Sequence, residues 1–174
     1  MHEFAKTPMR HRAVILARGL LTATALIMMS VTASADSAID RSVSLSSQQW
    51  HEVDQMTNAA TLASLGINIV QVVEAIEVQR TTFPQTLRAL RYGDEGLGLE
   101  PAASPEVLDQ IDRVEALWLR YDAAMTAIVN DLRSNPEVDV AYFEALFDVH
   151  VQITHAIDEM TEAFRRSRYH FSEA

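Results

Sequence analysis

The 174-residue sequence contains no cysteine, which excludes a disulfide scaffold, a thiolate zinc site, a c-type haem attachment and a cysteine nucleophile. Glycine and proline are scarce, with five of each, so collagen-like and linker-rich chains are excluded as well. Hydrophobic residues make up 48% of the chain and charged residues 22%, a balance that is typical of a folded chain. The length suits one domain of ordinary size.

Basic residues are also few: 14 of them stand against 24 acidic residues, for a formal charge of -10. A protein that binds nucleic acid usually has the opposite balance, because it must neutralise phosphate groups. An acidic surface also repels anionic lipid. We therefore expect no nucleic-acid partner.

Residues 1–35 have the pattern of a secretory signal peptide. An uncharged stretch, Gly19 to Val31, is shorter than the roughly 20 residues that span a bilayer, and Ala33-Ser34-Ala35 follows as a small-x-small cleavage site. The basic residues of this segment are Lys6, Arg10, Arg12 and Arg18. The pattern predicts cleavage after Ala35 and a periplasmic product. The alternative is an uncleaved N-terminal membrane anchor, which would leave the domain on the same side of the membrane.

The mature chain, residues 36–174, contains no second apolar stretch of that length. We therefore expect no membrane span after cleavage and no cytoplasmic output domain. Ten arginines and no lysine stand against 23 acidic residues in this part, a formal charge of -13.

Helix-forming residues dominate the mature chain, and no sustained period-two alternation indicates strands. The sequence predicts helices A to D over residues 43–65, 68–91, 104–133 and 135–168. Gly66 is a natural residue to follow the end of helix A. Helices C and D each begin with a capping residue, a proline and a glutamate, which are Ser104-Pro105-Glu106 and Asn135-Pro136-Glu137.

Apolar residues recur in steps of four and three along helices B, C and D, which is the spacing of a helix that packs in a bundle. Helix C has Val107, Ile111, Val114, Trp118, Tyr121, Met125, Ile128 and Leu132 at these positions. Helix D has Phe143, Leu146, His150, Ile153, Ile157, Met160 and Phe164, and helix B has Ile69, Val73, Ile76, Arg80, Phe83, Leu87 and Leu90. The predicted fold is all-α, an elongated antiparallel four-helix bundle after an N-terminal signal peptide.

Helix A has a narrower stripe, formed by Trp50, Val53, Met56, Ala60 and Ala63. Its small residues permit close helix approach, or leave room for a ligand or a second subunit. Trp50 is either a core anchor or a dimer or ligand contact. Pro84 should kink helix B or start a new turn there.

One series of residues carries a family resemblance. It reads Phe83-x-x-Thr86-Leu87-x-x-Leu90-x-x-Gly93-Asp94, then Gly98-Leu99-x-Pro101-Ala102, then Val114-Glu115-x-Leu117-Trp118-x-x-Tyr121. The series resembles the PilJ/NarX-like N-terminal sensory domain of type IV pilus chemotaxis transducers and nitrate/nitrite sensor kinases. The resemblance implies an extracytoplasmic four-helix bundle that recognises a small molecule or a partner, often as a dimer.

The chain departs from that family in helix A, where such domains usually carry an arginine-rich motif suited to gripping an oxyanion. Here Ser47-Gln48 keeps one pair of the motif, while Gln49 and Ser44 stand where arginines would be. Arg41 is the only arginine nearby. This departure and the charge of the mature chain argue against an anion as the ligand.

The candidate ligand-binding residues are Arg41, Gln48, Arg80 and His150. Arg80 either binds an anion inside the bundle or pairs with an acid on a neighbouring helix. His150 is either a hydrogen-bonded core residue or a ligand contact that responds to pH. The acidic row along helix C is expected to be a solvated stripe, formed by Asp109, Asp112, Glu115 and Asp122.

No Ser-His-Asp order, HExxH, Glu-x-x-His pair or P-loop occurs, so we expect no enzyme, no cofactor and no metal site. The leading hypothesis is an exported binding or sensory module that recognises a small-molecule ligand and acts on a membrane-bound signalling protein. The alternative is a structural or assembly protein that has lost ligand binding and acts through its surface, as a homodimer that uses helix A.

Overall fold

The computed structural model describes residues 13–134 and 139–171, with side chains described over 37–134 and 139–167. The chain divides into two units, Met1–Ser37 and Ala38–Ala174. Residues 1–12 of the predicted signal peptide lie outside the described residues, and residues 13–35 are helical. Cleavage after Ala35 therefore stays a prediction. Within the described residues, no helix is both long enough and apolar enough to cross a membrane.

Four α-helices account for nearly all of the described chain, which confirms the predicted all-α class. They are α1 (Ala13–Ser64), α2 (Ile69–Tyr92), α3 (Pro105–Ser134) and α4 (Val140–Phe171). The nearest approach to a strand among the described residues is a single bridge between Asp94 and Leu99 in the α2–α3 loop.

Side-chain pairs between the helices show that neighbours run antiparallel. The early α3 residue Glu106 pairs with Arg166 near the end of α4, while Arg113, two turns further along α3, pairs with Glu159. In the same way α2 pairs Glu77 with Arg133 and Arg91 with Asp112 of α3. The residues from Ala38 onward thus form the predicted antiparallel four-helix bundle.

The predicted core positions are confirmed. All eight positions of helix C are buried, as are the apolar stripe positions of α2 from Val73 to Leu90 and those of α4 from Leu146 to Phe164. At the ends of these stripes, Ile69 and Phe143 are partly buried and pack against the core. Phe83 of α2 stacks on Trp118 of α3 with ring centroids 4.0 Å apart, so this aromatic pair lies in the middle of the core.

Two predicted helix starts are wrong. The first helix begins at Ala13 and not at residue 43, because the polar residues before Val43 continue the helix that starts upstream. The fourth begins at Val140 and not at residue 135, since Asp139 caps it: Asp139 Oδ1 accepts a hydrogen bond from the Ala141 N–H at 2.9 Å. Residues 135–138 of the predicted start lie outside the described residues.

The predicted stripe of helix A is shifted by one residue at its N-terminal end. Gln49 is completely buried, whereas Trp50 is only partly buried. The core-facing stripe of α1 continues in steps of three and four from Val53 back through polar residues, which are Gln49, Ser46 and Ser42. The face of α1 that lines the bundle interior is therefore polar from Ser42 to Gln49 and mostly apolar from Val53 onward.

Pro84 does not interrupt α2, which is a single helix from Ile69 to Tyr92 with Pro84 inside it. Of the two predicted effects of Pro84, the new turn is therefore wrong, and the kink stays a prediction. Pro84 is exposed, so the ring faces away from the core.

Candidate functional site

The four candidate residues do not converge on one site. Arg41 is exposed and its Nη1 lies 3.4 Å from the carbonyl oxygen of Gly98 in the α2–α3 loop. Gln48 is exposed as well, and its amide donates to the Glu52 carboxylate at 3.3 Å. These two side chains connect neighbouring parts of the protein surface. Their role as ligand contacts stays a prediction.

Arg80 joins α2 to α3 through several partners at once. Its Nε donates to Asp122 Oδ1 at 2.6 Å, its Nη1 to Glu77 at 3.1 Å, and its Nη2 to the Thr126 hydroxyl. The hydrogen bond to Asp122 raises the pKa of the guanidinium, and burial only partly opposes it. Arg80 pairs with an acid on the neighbouring helix, which was one of the two readings of this residue.

The acidic row of helix C is not purely a solvated stripe. Asp122 pairs with Arg80, while Asp112 and Glu115 both pair with Arg91. The two arginines are eleven residues apart, which is three helical turns, so they hold α3 against α2 at two levels. The spacing of these two arginines on α2 is close to that of the acidic residues on α3, so these ion pairs could have been predicted from the sequence.

His150 belongs to a hydrogen-bonded chain inside the bundle. Its Nδ1 lies 3.0 Å from Thr57 Oγ1, which lies 2.8 Å from Tyr121 Oη, and Tyr121 donates to the Val53 carbonyl oxygen at 3.0 Å. Since Tyr121 uses its only proton on Val53, Thr57 must donate to Tyr121, and His150 must donate from Nδ1–H to Thr57. The chain therefore fixes the neutral tautomer of His150.

Burial sets the protonation of this chain. It lowers the pKa of His150, an effect that the nearby Asp54 carboxylate partly offsets. Burial also raises the pKa of Tyr121 strongly. Both groups are therefore neutral near pH 7, and the chain is a satisfied structural network that links α1, α3 and α4.

A cleft of about 490 Å³ lies between α1 and α4. Its lining residues are Ser47, Trp50 and His51 from α1 and Asp158, Thr161, Glu162 and Arg165 from α4. Spacings of three and four place each set on one face of its helix. The volume lies within the roughly 300–1,000 Å³ that is typical of small-molecule sites.

Polar groups lie directly behind this cleft. Thr161 Oγ1 donates to the completely buried Ser46 at 3.0 Å. Gln49 donates from its amide to Glu52 at 3.1 Å, but its buried Oε1 has no hydrogen-bond partner among the described residues. Burial raises the pKa of the Glu52 carboxyl, against the two glutamine hydrogen bonds that lower it. This part of the bundle is thus built to hold polar groups away from water.

The cleft residues were missed in the sequence, apart from Trp50. Extending the α1 stripe from Val53 in steps of four and three would have reached Gln49 and Ser46, but neither is apolar. Trp50 lines the cleft and also packs against the core, while its role as a dimer or ligand contact stays a prediction.

The residues of the Phe83–Tyr121 series, which carry the family resemblance, have structural roles. Phe83 and Trp118 stack in the core, and Asp94 pairs its backbone with Leu99 to close the α2–α3 loop. Gly93, at φ +79°, approaches Pro101 so closely that a Cβ would lie 2.9 Å from its ring nitrogen. Gly98, at φ +64°, lies against the Arg41 guanidinium. This series therefore specifies the bundle and its loop.

Over the described residues, no group of three or more histidine, aspartate and glutamate side chains could hold a metal ion.

Comparison with known proteins gives a likeness of fold. No family model matches the sequence, and no curated protein matches it. Among solved structures, the ligand-binding domain of the P. aeruginosa nitrate receptor McpN is similar, with a TM-score of 0.62 over 73% of this chain and 95% of that domain. The sequences are 15% identical, so the likeness shows the fold alone. The chain thus has a four-helix fold like that of a chemoreceptor ligand-binding domain.

Proposed function

We propose that this protein is an exported sensory module that binds a small solute and passes its bound state to a membrane-bound signalling protein. The observation that carries the proposal is the likeness to a chemoreceptor ligand-binding domain over 95% of that domain. The resemblance of the Phe83–Tyr121 series to PilJ/NarX-like sensory domains supports the same conclusion. It also favours a pathway related to type IV pili or nitrogen oxides.

The α1–α4 cleft is the proposed binding site, in preference to the four residues selected from the sequence. Arg80 already has three hydrogen-bonding partners, and His150 is held in a closed chain. The cleft combines a sufficient volume, an aromatic wall and polar groups that face outward. Arg41 and Gln48 are then secondary candidates at the surface.

Nitrate is the first compound to test, because the compared domain comes from a nitrate receptor. Two features of this chain oppose nitrate as the ligand. Residues 42–64 of α1 contain no arginine or lysine, and the mature chain has a formal charge of -13. An anion would gain little electrostatic energy at such a surface.

Thermal unfolding of the purified full-length chain tests the proposal. The panel contains nitrate, nitrite, phosphate, uncharged polar metabolites and amines, each at matched ionic strength. A compound at 100 times its dissociation constant stabilises the folded state by about 2.7 kcal/mol, so at least one should raise the melting temperature. Trp50→Ala should abolish the shift, and Tyr142→Ala, an exposed aromatic on α4, should preserve it. The proposal fails if no compound shifts the transition and no protein co-purifies.

A structural or assembly role is the second candidate, and one observation favours it. The end of the bundle at the α1–α2 turn exposes four large apolar side chains, which are Leu62, Leu65, Ile67 and Val70. Such groups favour protein–protein contact. Sedimentation of the parent chain, of Leu65→Asp and of Leu119→Asp separates the two candidates. A dimer that only Leu65→Asp dissociates supports assembly, and a monomer in all three excludes it.

A further inference from the structure

The α1–α4 cleft contains one carboxylate that is not neutralised. Glu162 and Arg165 form an ion pair within α4, so their charges cancel. Asp158, one turn earlier on the same face, has no hydrogen bond or ion pair with any described residue. The charged lining of the cleft therefore carries a net formal charge of about -1, which falls on Asp158.

An aromatic side chain forms the opposite wall of the cleft. Trp50 of α1 lines it, and His51 meets the Trp50 ring edge-on, with ring centroids 5.2 Å apart and an interplanar angle of 87°. This contact supports the indole from one side while Trp50 stays partly exposed. Of the aromatic side chains, tryptophan attracts a cation to its face most strongly.

The same turn of α1 contains a second group that lacks a partner. Gln49 is completely buried, and its Oε1 accepts no hydrogen bond from the described residues. A buried acceptor without a donor is costly, but Gln49 itself does not line the cleft. Asp158 is exposed and solvated by water in the cleft, and it has no charged partner among the described residues, so a cation bound there would be its first.

We propose that the α1–α4 cleft binds a small organic cation, with its ammonium group between the Asp158 carboxylate and the Trp50 ring. The inference rests on the proposed function, since it names the ligand class of that site. An aromatic ring and a carboxylate together suit an ammonium group. The ring attracts the cation through its quadrupole, and the carboxylate attracts it through its negative charge. The hydroxyl group of Ser47 provides a hydrogen bond to the rest of such a ligand.

Choline is the probe that tests this inference, and 3,3-dimethylbutan-1-ol is its uncharged control of the same shape. Saturation-transfer NMR on the methyl protons of each compound measures binding to the full-length chain at constant ionic strength. Choline should bind and the alcohol should not. Removal of the charge in Asp158→Asn should weaken choline binding about tenfold. Asp109→Asn, which removes an exposed carboxylate from α3, should change it less than about twofold.

The Trp50 wall has its own matched pair of variants. Trp50→Phe keeps an aromatic face and should retain part of the affinity for choline. Trp50→Leu should lower that affinity to about the value measured for Asp158→Asn. Thermal unfolding of each variant confirms that it is folded before binding is compared.

The outcomes separate the inference from the proposed function. If nitrate or an uncharged metabolite stabilises the protein while choline does not bind, the cation assignment is wrong and the sensory role stands. If choline and its alcohol bind equally, or if Asp109→Asn weakens choline as much as Asp158→Asn, the cleft does not recognise the charge. If no compound of either panel binds, the cation assignment fails, and the sensory role fails with it when no protein co-purifies.

Discussion

The hydroxyl oxygens of Thr57 and Tyr121 lie 2.8 Å apart in the buried interior, and this hydrogen bond joins α1 to α3 across 64 residues of sequence. The Thr57 hydroxyl also accepts from His150 of α4, so a single side chain connects three of the four helices. Buried polar groups are costly when they are left unpaired, and this network leaves none of its members unpaired.

Replacing Thr57 by valine should destabilise the bundle. The Thr57→Val side chain has a similar shape but removes the partner of both Tyr121 and His150, so we expect a loss of about 1–3 kcal/mol in the free energy of unfolding. Thr61→Val is the matched control, because the Thr61 hydroxyl donates only to the Thr57 carbonyl of its own helix. Urea unfolding should give a loss below about 0.5 kcal/mol for the control. Equal losses would show that the network contributes no special stability.

The lowered pKa of His150 predicts a pH dependence of stability. The folded state releases the imidazole proton more readily than the unfolded chain, whose histidine pKa is about 6.5. The contribution of His150 to the free energy of unfolding is therefore complete above about pH 6.5, and it is lost as the pH falls through the lower pKa of the folded state. His150→Gln should flatten the stability profile between about pH 7.5 and pH 5.5. An NMR titration that places the His150 pKa above 6.5 would contradict this assignment.

Glu52 contributes to the pH dependence of stability with the opposite sign. Burial raises the pKa of this carboxyl, so its folded form holds a proton more tightly than the unfolded chain. Glu52 therefore favours the folded state below its unfolded pKa, and this contribution is lost as the pH rises through the raised value. The two pKa shifts have opposite signs, so the comparison with His150→Gln is what isolates the His150 contribution.

The Arg80–Asp122 pair should couple more strongly than an exposed pair. Arg80 has a side chain that is only 16% exposed, whereas the Arg113 and Glu159 side chains are 50% and 37% exposed. Double-mutant cycles with Arg80→Met and Asp122→Asn should give a coupling of about 1–2 kcal/mol.

The corresponding cycle at Arg113 and Glu159 is the control and should give about 0.5 kcal/mol or less, because solvent and salt screen an exposed pair. A smaller coupling at Arg80 than at Arg113 would contradict the role of Arg80 in holding α2 against α3.

Two glycines of the α2–α3 loop should differ in their tolerance of alanine. Gly93→Ala places its Cβ against the Pro101 ring and the Leu99 carbonyl oxygen at a positive φ, so it should cost about 2–3 kcal/mol. Gly98→Ala meets only the flexible end of Arg41 and should cost about 1 kcal/mol. Gly96→Ala, at an ordinary φ, should stay within about 0.5 kcal/mol. Melting temperatures in a different order would show that the loop adopts another conformation in solution.

Most of the fold was predictable because apolar spacing records which face of a helix is buried. The stripe of α3 from Val107 to Leu132 is buried at every predicted position. Helix ends were harder, since Asn135-Pro136-Glu137 has the composition of a helix start but Asp139 is the residue that caps α4. Competing caps a few residues apart differ by little free energy, so local sequence alone does not choose between them.

The candidate site was less predictable, for a reason that Gln49 illustrates. Its position on the α1 stripe was readable, but an apolar-only pattern passes over a buried glutamine and selects the neighbouring Trp50 instead. The cleft also depends on which α4 residues lie opposite α1, and that register is a tertiary property. Thr161 lies opposite Ser46, a pairing across 115 residues that spacing within one helix does not reveal.

The central claim is that this bundle is a binding module whose ligand enters the α1–α4 cleft. Amide ¹H–¹⁵N correlation spectra of the full-length chain, recorded with each compound of the panel, test it most directly. We expect the active compound to shift resonances of residues 47–51 and 158–165 and to leave those around the Phe83–Trp118 stack unchanged. Spectra that no compound perturbs, or shifts confined to the α2–α3 side of the bundle, would contradict it.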